Sequence, residues 1–526
     1  MHGLPLIALL AGSLTITALA RRWGASPPLV LVVVGLAVSF VPGVPAYEID
    51  PDLVLLLVLP PLLYSAALDS SYLRFRDNLR PIGLLSVGLV LFTTVVVGLA
   101  AWWLVPGLPL AAALVLGAVV APPDAVAASA VGRRLGLPRR VMTILGGESL
   151  VNDATALTAF RVAVAVAAGA TYTVWQGIGV FALAALGGTA IGWAVGWIVH
   201  RARLALRDGV LESAIGLIVP FAAFLLAEEV HASGVIAVVV AGLYLGHRSP
   251  QGGPASRLQE LAVWKAADTL LESLVFALIG LQLRTVVEEV DTGLGRLLLI
   301  GLVLTLVTVV ARIVWVFPAT YVPRWLSRRL RERDPSPPWQ VPAVISWAGM
   351  RGVVTLAAAF AIPLTTQSGA PFPGRVEIIL LAFLVTVGTL LLHGLTLPTV
   401  IRRLGVQSTE DFADALAEAQ AQSAAARAAA ARLDELDDGN PLLRHAVAKL
   451  RYAAEARSNA AWERLGPTDE LNSRTPSLAF RRLRQEMLNA EREVFVRYRD
   501  ERRIDDEVFR RVQRELDLEE SMLQRE

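Results

Sequence analysis

GAVVAPPDAVAASAV, at residues 117–131, sets two consecutive prolines and an aspartate inside an apolar run. Pro122 and Pro123 remove two backbone donors and clash with the preceding turn, so a helix must break there. Carbonyls freed inside a bilayer have to line a cavity or be covered by protein. Asp124 follows the break directly. A carboxylate beside unwound backbone at membrane depth is the expected anatomy of a transporter ion site.

Working outward, the surrounding chain reads as membrane-spanning. Of 526 residues, 55% are hydrophobic and 18% charged, against about 25% charged in a typical soluble protein. The charge deficit stops near residue 405, which divides the chain into residues 1–405, a transmembrane domain, and residues 406–526, a polar helical tail. A spanning helix needs about 20 mostly apolar residues. About thirteen such segments are readable: 4–20, 28–43, 52–68, 81–105, 108–131, 141–169, 173–200, 210–228, 231–247, 261–283, 292–322, 340–364 and 376–400. The expected fold is therefore an all-α membrane protein. No basic residue precedes the first apolar run, and Arg21 and Arg22 follow it, which fits an uncleaved first span with its N-terminus outside.

Connection charge alternates. Odd-numbered connections are basic, carrying Arg21 and Arg22, then Arg74, Arg76 and Arg80, then Arg133, Arg134, Arg139 and Arg140, and later the group from Arg324 to Arg333. Even-numbered ones are acidic or nearly uncharged, with Glu48, Asp50 and Asp52, then Glu228 and Glu229, then Glu288, Glu289 and Asp291. Lys and Arg favour cytoplasmic loops, so the tail is placed inside. Within the tail, Ser408 and Asp411 form a capping pattern. Helical stretches run to about 436 and then over 442–464, 478–499 and 503–525, a solvated appendage for assembly or regulation.

Charged side chains at spanning depth cost about 2.5–3.5 kcal/mol each and need a reason. GGESLVNDATAL, residues 146–157, is the densest cluster. Glu148 and Asn152 share one helix face, and Ser149 and Asp153 share another. A hydroxyl with a carboxylate suits a hard cation. SWAGMRGVVTL, residues 346–356, is weakened by Gly349 and Gly352 around Arg351. An arginine there must find an anion, and Glu148 is the natural partner. That pairing would leave Asp124 and Asp153 available. The two interrupted spans lie seven apart in order, which makes them antiparallel and points to an inverted repeat with the site between its halves.

Other features are weaker. Lys265, Asp268 and Glu272 can partly satisfy one another or line a funnel for approaching cations. Arg161 can pair with a carboxylate or snorkel, and Arg312 is equally open. His393 reads as a packing residue and His231 as loop. The Gly-rich stretch 184–197 resembles small-residue helix packing. The chain has no cysteine, which excludes disulfides and thiolate metal sites, and its net charge of +2 gives no bulk case for nucleic acid. No activated nucleophile of a hydrolase stands at spanning depth, and no channel filter or symmetric ring is recognisable.

GESLVND, SGVIAVVVAGLYLG, FALIGLQL and WAGMRGVVTLA together resemble the monovalent cation/proton antiporter family one, the sodium/proton exchanger-like proteins, over residues 5 to 405. The resemblance implies an antiporter fold with two broken crossing helices, no cofactor, a homodimer with a mobile core bundle, and a multi-pass protein of the plasma membrane serving pH homeostasis. It implies that Asp153 carries the ion and proton, that Asp124 is a second ligand, that Ser149 gives an oxygen, and that Glu148 and Arg351 form a structural ion pair. Asn152 takes the place of a second aspartate in the electrogenic branch, which favours one-for-one electroneutral exchange of sodium, potassium or lithium for a proton. Two departures stand out. PDA at 123–125 replaces the family's TDP, so Pro123 offers only its carbonyl. Ser65 stands where many members have a glutamate.

Overall fold

The computed structural model describes residues 3–42, 55–171, 173–206, 208–288, 293–408, 410–437, 441–463, 465 and 476–525. The acidic connection containing Glu48, Asp50 and Asp52, and also Glu289 and Asp291, lie outside the described residues. The chain separates into two compact units, Met1–Ser408 and Thr409–Glu526.

The first unit is helical, with no strand among its described residues. Its helices are α1 (Gly3–Arg22), α2 (Pro27–Ser39), α3 (Leu59–Asp69), α4 (Tyr72–Asp77) and α5 (Leu79–Leu104). They continue with α6 (Leu110–Val120), α7 (Ala125–Arg134), α8 (Arg139–Ala167), α9 (Val174–Leu206), α10 (Gly209–Glu229) and α11 (Gly234–Arg248). The last are α12 (Pro254–Glu288), α13 (Leu294–Leu326), α14 (Arg328–Arg333), α15 (Gln340–Trp347), α16 (Val353–Phe360) and α17 (Arg375–Leu404). Seven of these, α5, α8, α9, α10, α12, α13 and α17, are long and apolar enough to cross a bilayer. Helix α13 shows why. Leu297, Ile300, Leu304 and Thr308 are buried on one face, yet Leu299, Leu302, Leu306 and Val314 are exposed on the other. A helix apolar all round belongs in hydrocarbon. The protein is a multi-pass membrane protein.

Small residues bring helices close. A Cβ on Gly192 of α9 would lie 2.3 Å from the Ala237 carbonyl of α11, and one on Gly188 would lie 2.6 Å from the Ser233 carbonyl. The Gly-rich stretch is thus a packing face, as its composition indicates.

Ion pairs join segments that are remote in the chain. Asp334 meets Arg324 at 2.7 Å, Arg140 at 2.7 Å and Arg80 at 3.7 Å, drawing the starts of α5 and α8 to the segment that follows α14. Arg161 pairs with Glu228 at 2.6 Å, joining α8 to the end of α10. That settles the choice left open for Arg161.

The second unit comprises α18 (Glu410–Leu436), α19 (Pro441–Glu463), α20 (Pro476–Asp500) and α21 (Asp506–Arg525). Helices α20 and α21 pair through buried Leu488, Leu516 and Leu523. Arg492 bridges Asp517 and Glu520 alongside. Its hydrogen bond is the chief reason the Glu520 carboxyl sits below the usual glutamate range.

Candidate functional site

Both interruptions fall where proline and glycine chemistry puts them. Helix α6 stops at Val120 and α7 begins at Ala125, with Pro122, Pro123 and Asp124 between them. Helix α15 stops at Trp347 and α16 begins at Val353, with Gly349, Arg351 and Gly352 between them. The two breaks meet. The Asp124 amide donates to the Met350 carbonyl at 2.7 Å. A Cβ on Gly352 would lie 2.1 Å from an Asp124 carboxylate oxygen, so only glycine permits this approach.

Arg351 is fully buried and holds the crossing together through backbone. Its Nε donates to the Val120 carbonyl at 3.0 Å, and its Nη atoms reach the Ala121 and Gly349 carbonyls. Its own amide donates to the Thr389 hydroxyl at 3.2 Å. These are the carbonyls that the breaks release, and a guanidinium with five donors in a fixed fork can cover several at once.

The expected Glu148–Arg351 pair is corrected here. Glu148 pairs with Arg312 of α13 instead, through two nitrogens at 2.5 and 2.8 Å. Both residues are buried. Arg312 also donates to the Ile345 carbonyl near the end of α15, at 3.2 and 3.1 Å. The bidentate geometry suits an arginine fork and a carboxylate. Arg351 is engaged by the freed carbonyls, and Arg312 on an unbroken helix is the one facing Glu148.

Asn152 is fully buried and donates to the Pro123 carbonyl at 2.6 Å. Two residues expected to act on the ion are thus bonded to each other, and the bond ties α8 to the first break. The Pro123 carbonyl keeps a second lone pair.

Asp153, Asp124 and Ser149 line one cavity of about 560 Å³. Asp153 is 7% exposed, and Asp124 lies within its electrostatic reach. The lining continues to exposed Arg74, Arg133 and Arg139 at the basic end of the molecule. So Asp153 sits at the bottom of a path that begins at the surface. Asp268 and Glu272, for which the sequence left a cation funnel open as one reading, line the same cavity, as does Thr355, which the sequence had not singled out. Ser65 lines it too and donates to Asp268 at 2.6 Å. Among the described residues no group of three metal-type ligands occurs. His393 is buried against Trp347, outside the cavity lining.

The sodium/hydrogen exchanger transmembrane family model matches residues 6–403. A protein named as an uncharacterized Na+/H+ exchanger from Mycobacterium tuberculosis is 38% identical over 98% of this chain and 95% of its own length. The sodium, potassium, lithium and rubidium/H+ antiporter of Bacillus subtilis is 33% identical over 70% of this chain and 57% of its own length. In fold, the chain is similar to the sodium proton antiporter MjNhaP1 from Methanocaldococcus jannaschii, with a TM-score of 0.60 at 17% identity, covering 76% of this chain and 98% of that one. With two interrupted helices meeting over a buried aspartate, and with a family match that runs through every residue of that site, the chain belongs to the sodium/hydrogen exchanger family of membrane transporters.

Proposed function

We propose that this protein exchanges a monovalent cation for a proton by alternating access at one shared site built on Asp153 and Asp124. The observation that carries the reading is their common cavity. Glu148, on the same helix as Asp153, is already neutralised by Arg312, whereas Asp153 lines a path to the surface together with Asp124. A carboxylate in such a place accepts a cation or a proton, not both productively. Protonation lowers cation affinity, and cation binding displaces the proton. Exchange becomes obligatory because the empty, charged site is costly to carry across a bilayer.

The likeness of the two breaks supports an inverted repeat with the site at its centre. Thirteen spans are supported by helices at each expected position and by ion pairs that join only connections of one parity. On that count the N-terminus lies outside, the C-terminal unit is cytoplasmic, and the plasma membrane is the location, with a homodimer as the assembly. Ser149 supplies a cation oxygen. Asn152, an amide rather than a carboxylate, supports one-for-one electroneutral exchange of sodium, with potassium and lithium as competing substrates.

The test is cation-driven pH change in proteoliposomes. Asp153→Asn should abolish it in a protein that still purifies as folded. Retained exchange would remove Asp153 from the mechanism. With the membrane potential clamped at two values, the wild-type rate should not change, and a voltage-dependent rate would reject electroneutrality.

A further inference from the structure

Helix α12 carries Asp268 and Glu272 one turn apart, and both line the cavity that leads to Asp153. Like charges at this spacing repel unless something positive lies between them. Three further observations point to a ligand. The buried Ser65 hydroxyl of α3 donates to one Asp268 oxygen at 2.6 Å. The other Asp268 oxygen is out of reach of solvent and has no partner. Thr355 of α16, 1% exposed, also lines the cavity with its hydroxyl unpartnered. Glu272 lies within electrostatic reach of both Asp268 and Asp124. The carboxylates therefore form a series from Asp268 through Glu272 to Asp124 and Asp153.

We propose that Asp268, Glu272 and Ser65, with Thr355 in the same cavity lining, form a second cation station on the approach to Asp153. It rests on the exchange reading above in its purpose, though not in its chemistry. The ligand is a partly dehydrated alkali cation. A small divalent ion such as Mg2+ dehydrates reluctantly and would keep several of its waters beside two carboxylates, so a partly dehydrated occupant is an alkali ion. A weak station suits an ion that must move on. Its occupant also relieves the repulsion between Asp268 and Glu272, so the station fills before the inner site does.

The experiment is saturation binding of radioactive sodium to the purified full-length protein, with a bulky organic cation holding ionic strength constant. The wild type should bind two sodium ions per chain. Asp124→Asn with Asp153→Asn should keep one saturable ion, and adding Asp268→Asn and Glu272→Gln should remove it. Ser65→Ala changes no charge and should weaken the remaining ion several-fold, which diffuse attraction would not do. Loss of all saturable binding in the Asp124/Asp153 variant overturns the proposal, as does binding that survives loss of Asp268 and Glu272. A second readout needs only an active chain. Asp268→Asn with Glu272→Gln should raise the apparent KM for sodium at least about fivefold, and high organic-cation salt, which shortens the Debye length to about 3 Å at 1 M, should not erase the change. An unchanged KM overturns the station. Failure of the wild type to exchange at all would instead count against the antiport reading, and the binding result would stand apart from it.

Discussion

Replacing Glu148 with Gln should strip Arg312 of its counter-charge while leaving side-chain shape almost unchanged. Both residues are out of solvent, Arg312 at 0% and Glu148 at 1% exposure. Removing one partner from such a pair costs about 3–5 kcal/mol, because the other charge is stranded. Arg312→Gln should cost more. It also abandons the Ile345 carbonyl, which receives two Arg312 contacts at 3.1 and 3.2 Å, and an unmet buried acceptor adds about 1–3 kcal/mol. The double variant strands no charge. It should be more stable than the sum of the single losses by about 2–3 kcal/mol, the upper range of coupling between contacting residues. Unfolding of the purified protein, followed in all four members of the cycle, reads this directly. A parallel cycle of Glu148→Gln with Arg351→Gln should show clearly smaller coupling, since Arg351 bonds to Val120, Ala121 and Gly349 rather than to Glu148. A larger coupling to Arg351 than to Arg312 would refute the assignment.

Gly352→Ala should cut exchange by an order of magnitude or more, because its Cβ would sit 2.1 Å from an Asp124 oxygen and 2.6 Å from Asp124 Cβ; overpacking of this kind costs about 1–3 kcal/mol, and proteoliposome flux beside a melting curve separates the transport loss from the stability loss. Asn152→Leu removes the 2.6 Å bond to the Pro123 carbonyl and should destabilise by about 1–3 kcal/mol, with full stability in detergent unfolding counting against that bond. Arg351→Lys keeps the charge but loses the fork that covers the freed carbonyls; unfolding should show a loss of at least about 1–3 kcal/mol, and a fully stable Lys variant would mean that charge alone suffices there.

Much of the fold was legible because its causes are local. Paired prolines stop α6 one residue before Ala121 wherever that segment packs, and Gly349 with Gly352 open α15 from α16 in the same way. Asp124 and Asp153 were readable because an acid in an apolar run is conspicuous in any fold. Partner identity was less accessible. Glu148 and Arg312 lie 164 residues apart, and their meeting depends on how α8 and α13 are rotated against each other. Arg351 drew attention through its glycines, but its destination was backbone, which no side-chain pattern announces. One signal was available for Arg312. It continues the buried stripe of Leu304 and Thr308 on α13, so it had to point inward and needed an anion. Ser65 and Asp268, 203 residues apart, offered no comparable clue.

On the exchange reading, the division of work between Arg312 and Arg351 explains why the site stays open to an ion. Helix α6 ends with carbonyls at Val120 and Ala121, and a helix C-terminus carries roughly half a negative charge. Arg351 lies on that end. Asp124 stands just before the start of α7, where the helix dipole presents its positive end. Each interrupted terminus therefore has a charge of the right sign beside it. Had Arg351 turned to Glu148, the carbonyls of the first break would lie unmet in a medium without water, at several kcal/mol each. Because Arg312 neutralises Glu148 and Arg351 caps the backbone, neither forms an ion pair with Asp153 or Asp124 among the described residues. On the exchange reading proposed above, Asp153 takes its counter-charge from what arrives through the cavity, and that requirement would couple the two ions.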